Sequence, residues 1–335
     1  MSSLVSPASS SVPFAISATT LIAGALLGTN FLLFVIARIA MLDPFMLAFA
    51  MVALWLCARA VRRPARGHAT LALAGLALGL ALASKWSVAP LAVLPGLAFA
   101  MARLVALDER RSAILTARDA GPVPGVSLIE AAVLLGALPL AVYLLSFLPL
   151  GWFATGAVPF SEVIGFQQRM AELQESVVKP HPYQSNWWQW VGNLRPIWFL
   201  YEHADGAQRG VLLVGNPLTM ALGLPALIVC AGWGWLRRDP AMLAAVVLYA
   251  ASLALWIVAP KPVQFYYHYL LPGTFLTIAL GLVLGAWWER GRRWPTLVTL
   301  AGAIGLFAWF YPILSSAILP GEQAFLTYTW LSSWR

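Results

Sequence analysis

Apolar runs long enough to cross a lipid bilayer dominate this 335-residue chain. A helix needs about 20 apolar residues to cross a hydrocarbon core roughly 30 Å thick. On that criterion we predict nine spans, near residues 13–37, 43–60, 69–84, 87–105, 127–150, 212–236, 240–259, 267–288 and 295–317. Because 61% of the residues are hydrophobic and only 10% are charged, the chain has too little polar surface to cover a core in water. The predicted fold class is an all-α polytopic membrane protein, a helical bundle with one long external loop.

The apolar pattern also predicts how the chain is organised. We expect a polar N-terminal segment (1–12), transmembrane helices one to five (13–150), an external aromatic loop (151–211), transmembrane helices six to nine (212–317) and an external tail (318–335). The apolar run 69–105 breaks at Ser84–Lys85–Trp86, where the lysine should reach an interface, so we predict a helical hairpin there. In the loop, Phe166–Val178 is compatible with a helix.

Basic residues orient the bundle. Thirteen of the 21 Lys and Arg residues lie on one side if nine spans alternate, namely Arg59, Arg62, Arg63, Arg66, Arg103, Arg110, Arg111, Arg118, Arg237, Arg238, Arg290, Arg292 and Arg293. Basic loops stay in the cytoplasm. We therefore predict a multi-pass protein of the inner (plasma) membrane with a cytoplasmic N-terminus and a periplasmic long loop. The formal charge of +8 is read as a topology signal, and no nucleic-acid partner is expected.

The first candidate site residues bracket the turn between spans one and two. Arg38 and Asp43 stand five residues apart at the outer membrane surface. Ionisable groups at such depth are costly, and they face each other or a polar cavity. Two interpretations are open: an ion pair that pins the turn, or an Arg38 that faces an anionic headgroup while Asp43 orients a sugar hydroxyl.

Two further candidate regions lie on the same outer side. Lys85 is a point charge suited to phosphate, and Trp86 beside it could stack on a sugar, although a plain interfacial anchor would look the same. The segment Lys261–Tyr269 reads as interfacial aromatics, with a possible substrate contact from His268 or Tyr267.

The long loop holds the densest cluster of aromatic and amide residues, from His181 to His203. Aromatic faces stack on sugars, amides bond to hydroxyls, and an arginine can pair with phosphate in a fork geometry; a re-entrant aromatic belt is the alternative. The candidate substrate-binding residues of this loop are His181, Tyr183, Gln184, Trp187, Trp188 and Arg195.

Two lone histidines 22 residues apart, His181 and His203, do not make a zinc signature, and no metal or divalent cation is indicated. All the candidates share the external face. Such a surface above a helical bundle suits a substrate with an acyl tail, a phosphate and a sugar, because the tail can stay in lipid while the phosphate meets Arg or Lys.

Four stretches resemble the dolichyl/polyprenyl-phosphate-mannose–protein O-mannosyltransferases, GT-C-fold enzymes of glycosyltransferase family 39. They are ARIAMLDPFMLAF (37–49), GLALGLALASKWSV (75–88), HPYQSNWWQWVGNLRPIWFLYE (181–202) with GNP (215–217), and FYYHYLLP (265–272). The chain is similar to a bacterial member, without the β-trefoil insert of the eukaryotic ones. The resemblance implies transfer of mannose from polyprenyl-phosphate-mannose, the donor, to Ser or Thr of an exported protein, with inversion at the anomeric carbon. Beyond that donor, no cofactor is expected, and the oligomeric state is not predicted.

The resemblance also implies an Asp–Glu pair in the first external loop as the catalytic acid/base site. Here no Asp or Glu precedes Asp43, so the sequence starts where the family's third span would begin. We expect the 335-residue chain to be N-terminally truncated and inactive alone. Asp43 itself as a replacement base is the less favoured interpretation, and the catalytic residue is left unassigned.

Three other functions remain open from the sequence. One is another GT-C enzyme that moves a different lipid-phosphate sugar, such as aminoarabinose to lipid A. A second is a transporter or flippase, which the position of the ionisable residues at span ends disfavours because transporters place them at mid-membrane. The third is a non-catalytic remnant that binds a partner subunit.

Overall fold

The computed structural model describes residues 17–107 and 113–335. Over these residues, eight helices are long and apolar enough to cross a membrane: Asp43–Arg62, Pro64–Ser84, Trp86–Ala106, Leu128–Trp152, Pro217–Arg237, Pro240–Val258, Tyr266–Glu289 and Trp294–Ser315. A ninth span is formed if α1 (Ala18–Gly28) and α2 (Phe31–Arg38), bent by 56° to each other, are counted as one. The prediction of a polytopic helical membrane protein is confirmed.

The first span is bent where two polar residues interrupt the apolar run. Helix α1 ends at Thr29, whose backbone N–H bonds to carbonyls of the last helical turn. The side chain of Asn30 accepts a hydrogen bond from Leu33 N at the start of α2. Asn and Thr offer the backbone such alternative partners, which explains the break. The single span predicted near 13–37 is therefore a bent pair of helices over its described part, and the predicted segment 1–12 lies outside the described residues.

The next four spans form the first half of the bundle. Helix α3 (Asp43–Arg62) is followed by α4 (Gly67–Ser84) and α5 (Ala89–Ala106), with a short 3₁₀ turn at Trp86–Val88. The helical hairpin predicted at Ser84–Lys85–Trp86 is confirmed. Next, α6 (Leu128–Ala132) continues through a π-helical segment, Val133–Ala137, into α7 (Leu138–Leu145).

Glycines let α4 approach its neighbour closely. A Cβ on Gly75 would meet the backbone carbonyl of Leu134, and one on Gly79 would lie 2.5 Å from Val142 Cβ. Small residues promote helix association in lipid because they let two backbones touch. Next to these contacts lies a hydrophobic core shared by α3, α4, α5, α6 and the π-helical segment.

The second half of the bundle surrounds α12 (Leu270–Glu289). Around it pack α1, α10 (Pro217–Arg237), α11 (Pro240–Val258) and α13 (Trp294–Ser315). Most of α12 is buried, and its Gly281 and Gly285 face α1 at Ala23 and Thr19. Since side chains are absent at these two positions, α1 lies directly against α12.

The external loop between α7 and α10 is ordered and only partly helical. It contains α8 (Val163–Glu175), which confirms the helix expected within Phe166–Val178, and the short α9 (Trp187–Val191). Strands β1 (Ile197–Ala204) and β2 (Ala207–Leu213) then form an antiparallel hairpin. The apolar pattern did not predict this hairpin, and the span predicted near residue 212 begins at Pro217.

An Asp–Gly turn explains the hairpin. Asp205 and Gly206 both have positive φ, at 50° and 72°. A two-residue turn with positive φ at both positions matches the twist of the flanking strands, and Asp–Gly is among its preferred sequences. The tail packs onto this hairpin, where Leu319 N donates to Gln208 O at 2.9 Å.

Candidate functional site

An ion pair between α3 and the end of α4 lies at the base of the candidate site. Lys85 Nζ lies 2.8 Å from both carboxylate oxygens of Asp43. The Asp43 side chain is 4% exposed and that of Lys85 24%. A buried carboxylate without a partner is costly, so Lys85 is required as its counter-ion. Asp43 pairs with Lys85 in this way, and the alternative of an Arg38–Asp43 pair is wrong.

A second lysine lies next to this pair. The Lys85 ammonium is 4.9 Å from the ring centroid of Tyr267, on the segment that also carries Lys261. Lys261 Nζ donates a hydrogen bond to Gln174 Oε1, at 3.0 Å, on α8. Half-burial lowers the pKa of Lys261 below its ordinary value, and the positive charge of Lys85 lowers it further.

The charges of Asp43, Lys85 and Lys261 do not cancel. Within the described part of the chain, no ion pair joins Lys261 to a carboxylate, whereas Lys85 is matched by Asp43. The three charged side chains therefore carry a net charge of about +1. A singly charged anion such as a phosphodiester would neutralise the remaining positive charge.

His268 adds a buried polar group with unused hydrogen-bonding capacity. Its ring stacks on Trp256 with centroids 3.7 Å apart and an interplanar angle of 18°, and the Trp190 ring packs edge-on at 5.9 Å. The residue is 5% exposed, and neither ring nitrogen has a hydrogen-bond partner among the described residues. Buried polar atoms are almost always paired, so an unpaired imidazole points to a ligand.

We call Asp43, Lys85, Lys261, Tyr267 and His268 the lysine cluster. The Tyr267 ring joins its two halves, because it lies 4.4 Å from the His268 ring and under the Lys85 ammonium. The arrangement offers two cations and an imidazole beside aromatic faces. Such a set can bind a phosphate next to a sugar.

The aromatic loop lies beside this cluster. Ser185 N donates to Gln264 O at 2.8 Å, which ties the loop to the segment before Tyr267. The rings of His181 and Phe265 lie 5.1 Å apart, and His181 Nδ1 accepts a hydrogen bond from Tyr183 N. Gln184 Oε1 accepts from His181 N at 3.2 Å, so this exposed side chain stabilises the loop. Half-buried Trp187 packs on the core, whereas Trp188 is 51% exposed.

The other candidate residues already have hydrogen-bond partners in the backbone or in a neighbouring side chain. Trp86 Nε1 donates to Tyr143 Oη at 2.5 Å, and Tyr143 in turn donates to Gln167 on α8. Arg195 donates to Pro182 O at 2.6 Å. Arg38 donates to Ser315 O at the end of α13 and lies over the Phe34 ring. The structure thus brings Asp43, Lys85 and His268 together and turns Arg38 toward α13.

Three residues that the sequence reasoning passed over shape the site. Lys261 supplies the unmatched charge, Trp256 stacks on the imidazole, and Gln174 holds Lys261. Lys261 stands in a motif that was singled out for its aromatic residues, and a lysine between two spans was a usable signal. Trp256 had no local signal, because a tryptophan near the end of an apolar helix is common at interfaces.

Fold and site together define a multi-pass helical membrane protein with a cationic, aromatic site at one end of its bundle. Comparison with known proteins assigns the family. A model of the C-terminal four-transmembrane region of protein O-mannosyltransferases matches residues 159–334, and one of dolichyl-phosphate-mannose-protein mannosyltransferases matches residues 14–154. The chain belongs to the protein O-mannosyltransferase family, as the sequence motifs predicted.

Curated relatives cover most of the chain. The polyprenol-phosphate-mannose–protein mannosyltransferase of Mycolicibacterium smegmatis is 28% identical over 385 aligned positions, which cover 94% of this chain and 71% of that protein. The protein of the same name from Mycobacterium tuberculosis is 29% identical and covers 94% of this chain and 70% of its own length. Among solved structures, the Saccharomyces cerevisiae protein O-mannosyltransferase Pmt1–Pmt2 complex bound to the sugar donor matches with a TM-score of 0.42 and 20% identity, over 53% of this chain and 27% of that one.

Proposed function

We propose that the chain transfers mannose from polyprenyl-phosphate-mannose to Ser or Thr of exported proteins, with the lysine cluster as the donor phosphate site. The observation that carries this proposal is the net positive charge of Asp43, Lys85 and Lys261 beside an unpaired, buried His268. The family assignment supports mannose as the sugar and does not favour aminoarabinose. In this assignment, the donor and the exported acceptor are the partners.

The chemistry explains why two lysines are needed. The acceptor hydroxyl attacks the anomeric carbon, the bond from that carbon to the phosphate oxygen breaks, and a base takes the hydroxyl proton. The donor phosphodiester carries one negative charge, and the polyprenyl phosphate that leaves carries about 1.5 to 2. Charge therefore grows on the phosphate during the reaction, and prepositioned ammonium groups stabilise that growth.

Asp43 is poorly placed to be the base. Both of its carboxylate oxygens accept from Lys85 at 2.8 Å, and removing its charge would leave Lys85 without a counter-ion. We assign Asp43 to positioning Lys85. The catalytic base therefore stays unassigned.

The proposed location is the inner membrane, with the lysine cluster and the aromatic loop on the periplasmic side. The basic ends of the helices support this orientation. Arg237 and Arg290 both lie over the ring of Trp233, at 4.4 and 5.2 Å, so the basic ends of α10 and α12 meet at the opposite end of the bundle from the cluster. Cytoplasmic loops carry such an excess of arginine.

Binding of radiolabelled donors to the purified chain in nanodiscs tests the proposal. We expect polyprenyl-phosphate-mannose to bind at least tenfold more tightly than polyprenyl-phosphate-aminoarabinose, and a Lys261→Gln variant to bind it about tenfold more weakly. Lys179→Gln, which removes an exposed lysine from the aromatic loop, is the matched control and should bind normally. Equal or tighter binding of the aminoarabinose donor would overturn the assignment.

Acceptor specificity is measured on membranes that carry the protein. Any labelled mannose that is transferred should appear on a Ser- and Thr-containing peptide and not on the same peptide with alanine at those positions. Label in lipid A, with none in the peptide, would contradict the proposal.

A further inference from the structure

An apolar groove lies between α10 and α13, in the half of the bundle away from the lysine cluster, and α12 forms its floor. Its volume is about 420 Å³, within the range of ligand pockets. The floor residues Leu280, Val283 and Leu284 are buried, whereas Leu222 and Val298 on the walls are exposed. Because these helices are long and apolar enough to cross a bilayer, the exposed walls open the groove to lipid.

The way α13 is held explains the groove. In the outer half of the bundle, Gly302 lies against α10, and a Cβ on this glycine would be 2.7 Å from Leu218 Cδ2. Toward the other end, the Thr296 hydroxyl donates to Leu284 O at 3.1 Å, which holds α13 on α12. Helix α13 thus passes from α10 toward α12 and leaves a space beside α10.

The groove occupies one leaflet. From Leu280 to Trp287 its floor extends about 10 Å, at 1.5 Å per residue, or about a third of the hydrocarbon core. Except for Thr299, every lining residue is Leu, Val, Ala, Pro or Trp, and the Thr299 hydroxyl donates to Pro295 O of its own helix. The groove is therefore suited to part of an acyl chain.

The mouth of the groove lies where α12 ends and α13 begins. Trp287 and Trp294 line it there. Arg290 follows Trp287 by three residues, Arg293 directly precedes Trp294, and the Arg293 guanidinium lies over the Trp288 ring at 5.2 Å. Tryptophans are enriched at the depth where hydrocarbon gives way to headgroups, so these arginines stand at headgroup level.

A third arginine reaches the mouth from α10. Trp233 lies one helical turn beyond Val229, which lines the groove. The Arg237 and Arg290 guanidinium groups both lie over the Trp233 ring, at 4.4 and 5.2 Å. One indole thus positions two cations between the ends of α10 and α12.

Carboxylates do not neutralise these three arginines. Among the described residues, none forms an ion pair with them. The two neighbouring acidic residues bond elsewhere: Asp239 accepts from Ala241 N and Met242 N at the start of α11, and Glu289 accepts from the Thr19 hydroxyl on α1. Since arginine stays charged and pairs with phosphate in a fork geometry, the mouth is suited to an anionic headgroup.

We propose that this groove binds an anionic phospholipid, with one acyl chain along α12 and the phosphate at Arg237, Arg290 and Arg293. Basic pockets between transmembrane helices select anionic headgroups. A zwitterionic lipid fits less well, because its own cation would meet three guanidinium groups. The site lies at the opposite end of the bundle from the lysine cluster and does not depend on the proposed function.

Native mass spectrometry of the full 335-residue chain in detergent tests the charge selection. Phosphatidylglycerol and phosphatidylcholine with identical acyl chains are titrated separately, and the lipid-bound masses give the affinities. We expect phosphatidylglycerol to bind at least tenfold more tightly. Arg237→Gln and Arg290→Gln should each weaken its binding about fivefold. Arg59→Gln is the matched control, since this guanidinium at the same end of the bundle also lies over a tryptophan, Trp55, but away from the groove.

A second pair of variants tests the groove itself. Val298→Trp narrows it and should weaken phosphatidylglycerol binding at least threefold. Leu297→Trp adds the same ring at the neighbouring exposed position, which does not line the groove, and should bind normally. Thermal unfolding verifies that the variants fold, and donor binding at the lysine cluster should be unchanged in all of them.

Two results would overturn the lipid site. One is equal affinity for the two lipids, or phosphatidylglycerol binding that survives Arg237→Gln combined with Arg290→Gln. The other is a dimeric mass that Val298→Trp converts to a monomer without any change in lipid binding, because a second copy of the chain would then cover the groove.

Discussion

Two regions at the external end of the bundle use polar side chains in opposite ways. One is the lysine cluster; the other, which we call the hairpin–tail region, comprises the β1–β2 hairpin, the end of α13 and residues 318–335. In the hairpin–tail region the guanidinium and indole groups bond to backbone carbonyls: Arg209 to Ser316 O at 2.9 Å, Trp198 to Trp334 O at 3.1 Å and Trp334 to Asn193 O at 2.7 Å. In the lysine cluster, neither ring nitrogen of His268 has a partner among the described residues, and Lys261 bonds to the Gln174 amide but to no described carboxylate.

The difference separates structure from function. A polar group bonded to a carbonyl completes the fold, and little is left for a ligand. A buried polar group without a partner is destabilising unless something else pairs with it. The comparison therefore predicts that changes in the hairpin–tail region lower stability alone, whereas changes in the lysine cluster alter donor binding.

The largest loss of stability is expected for Lys85→Met, which leaves Asp43 buried and unpaired. Breaking one partner of a buried ion pair costs about 3–5 kcal/mol of unfolding free energy. The double variant Asp43→Asn with Lys85→Met should recover most of that loss and still fail to bind the donor. Denaturant unfolding in detergent and donor binding measure the two effects. A double variant as unstable as the single one would show that the pair is not the cause.

Trp334→Phe should destabilise the protein without affecting the donor. It removes the indole donor of the buried carbonyl of Asn193, a loss of about 1–3 kcal/mol. The control is Trp330→Phe, whose parent side chain is 50% exposed and which should change stability little. A weaker donor affinity in Trp334→Phe would break the distinction between the two regions.

His268→Phe should weaken donor binding without destabilising the protein. Phenylalanine keeps the stack on Trp256 and removes two unpaired nitrogens, so stability should be unchanged or higher. Donor affinity should fall about tenfold, the equivalent of one hydrogen bond worth about 1.4 kcal/mol. His203→Phe, an exposed position in β1, is the matched control. Loss of stability with normal donor binding would assign His268 to the core instead.

The smallest effect is a dependence of donor affinity on pH. The pKa of Lys261 is lowered, so its positive charge is fully present below that pKa and is lost as the pH rises through it, before an ordinary lysine titrates. The charge of a phosphodiester is constant over this range. Donor affinity should therefore fall severalfold on the alkaline side. Lys261→Arg should move the fall to higher pH, and Arg38→Gln should leave the profile unchanged. A profile that is the same in Lys261→Arg would remove Lys261 from the site.

Much of the fold could be predicted because bilayer thickness dictates the length of each apolar run. The break at Ser84–Lys85–Trp86 was also predicted from a charge that cannot remain in lipid. The hairpin was missed, although Asp205–Gly206 between two β-compatible stretches is a turn signal. The bend at Thr29–Asn30 was missed because the apolar run around it is long enough for one uninterrupted span.

The candidate site was harder to predict. Its members Asp43, Lys85 and His268 were each identified, but their grouping depends on contacts between residues far apart in the chain. Asp43 meets Lys85 42 positions later, and Lys85 meets Tyr267 only after the whole loop has folded back. Local spacing offered an Arg38–Asp43 pair as one of two interpretations, and long-range packing pairs Asp43 with Lys85 instead.

Asp43 stands at the first position of α3, followed by Pro44. The free amides of a helix N-terminus carry a partial positive charge of roughly half an elementary unit, and they attract a carboxylate placed there. The helix thus shares in neutralising Asp43, and the Lys85 ammonium keeps part of its attraction for a second anion. A pair that counts as neutral by formal charge still presents a positive potential to an arriving phosphate.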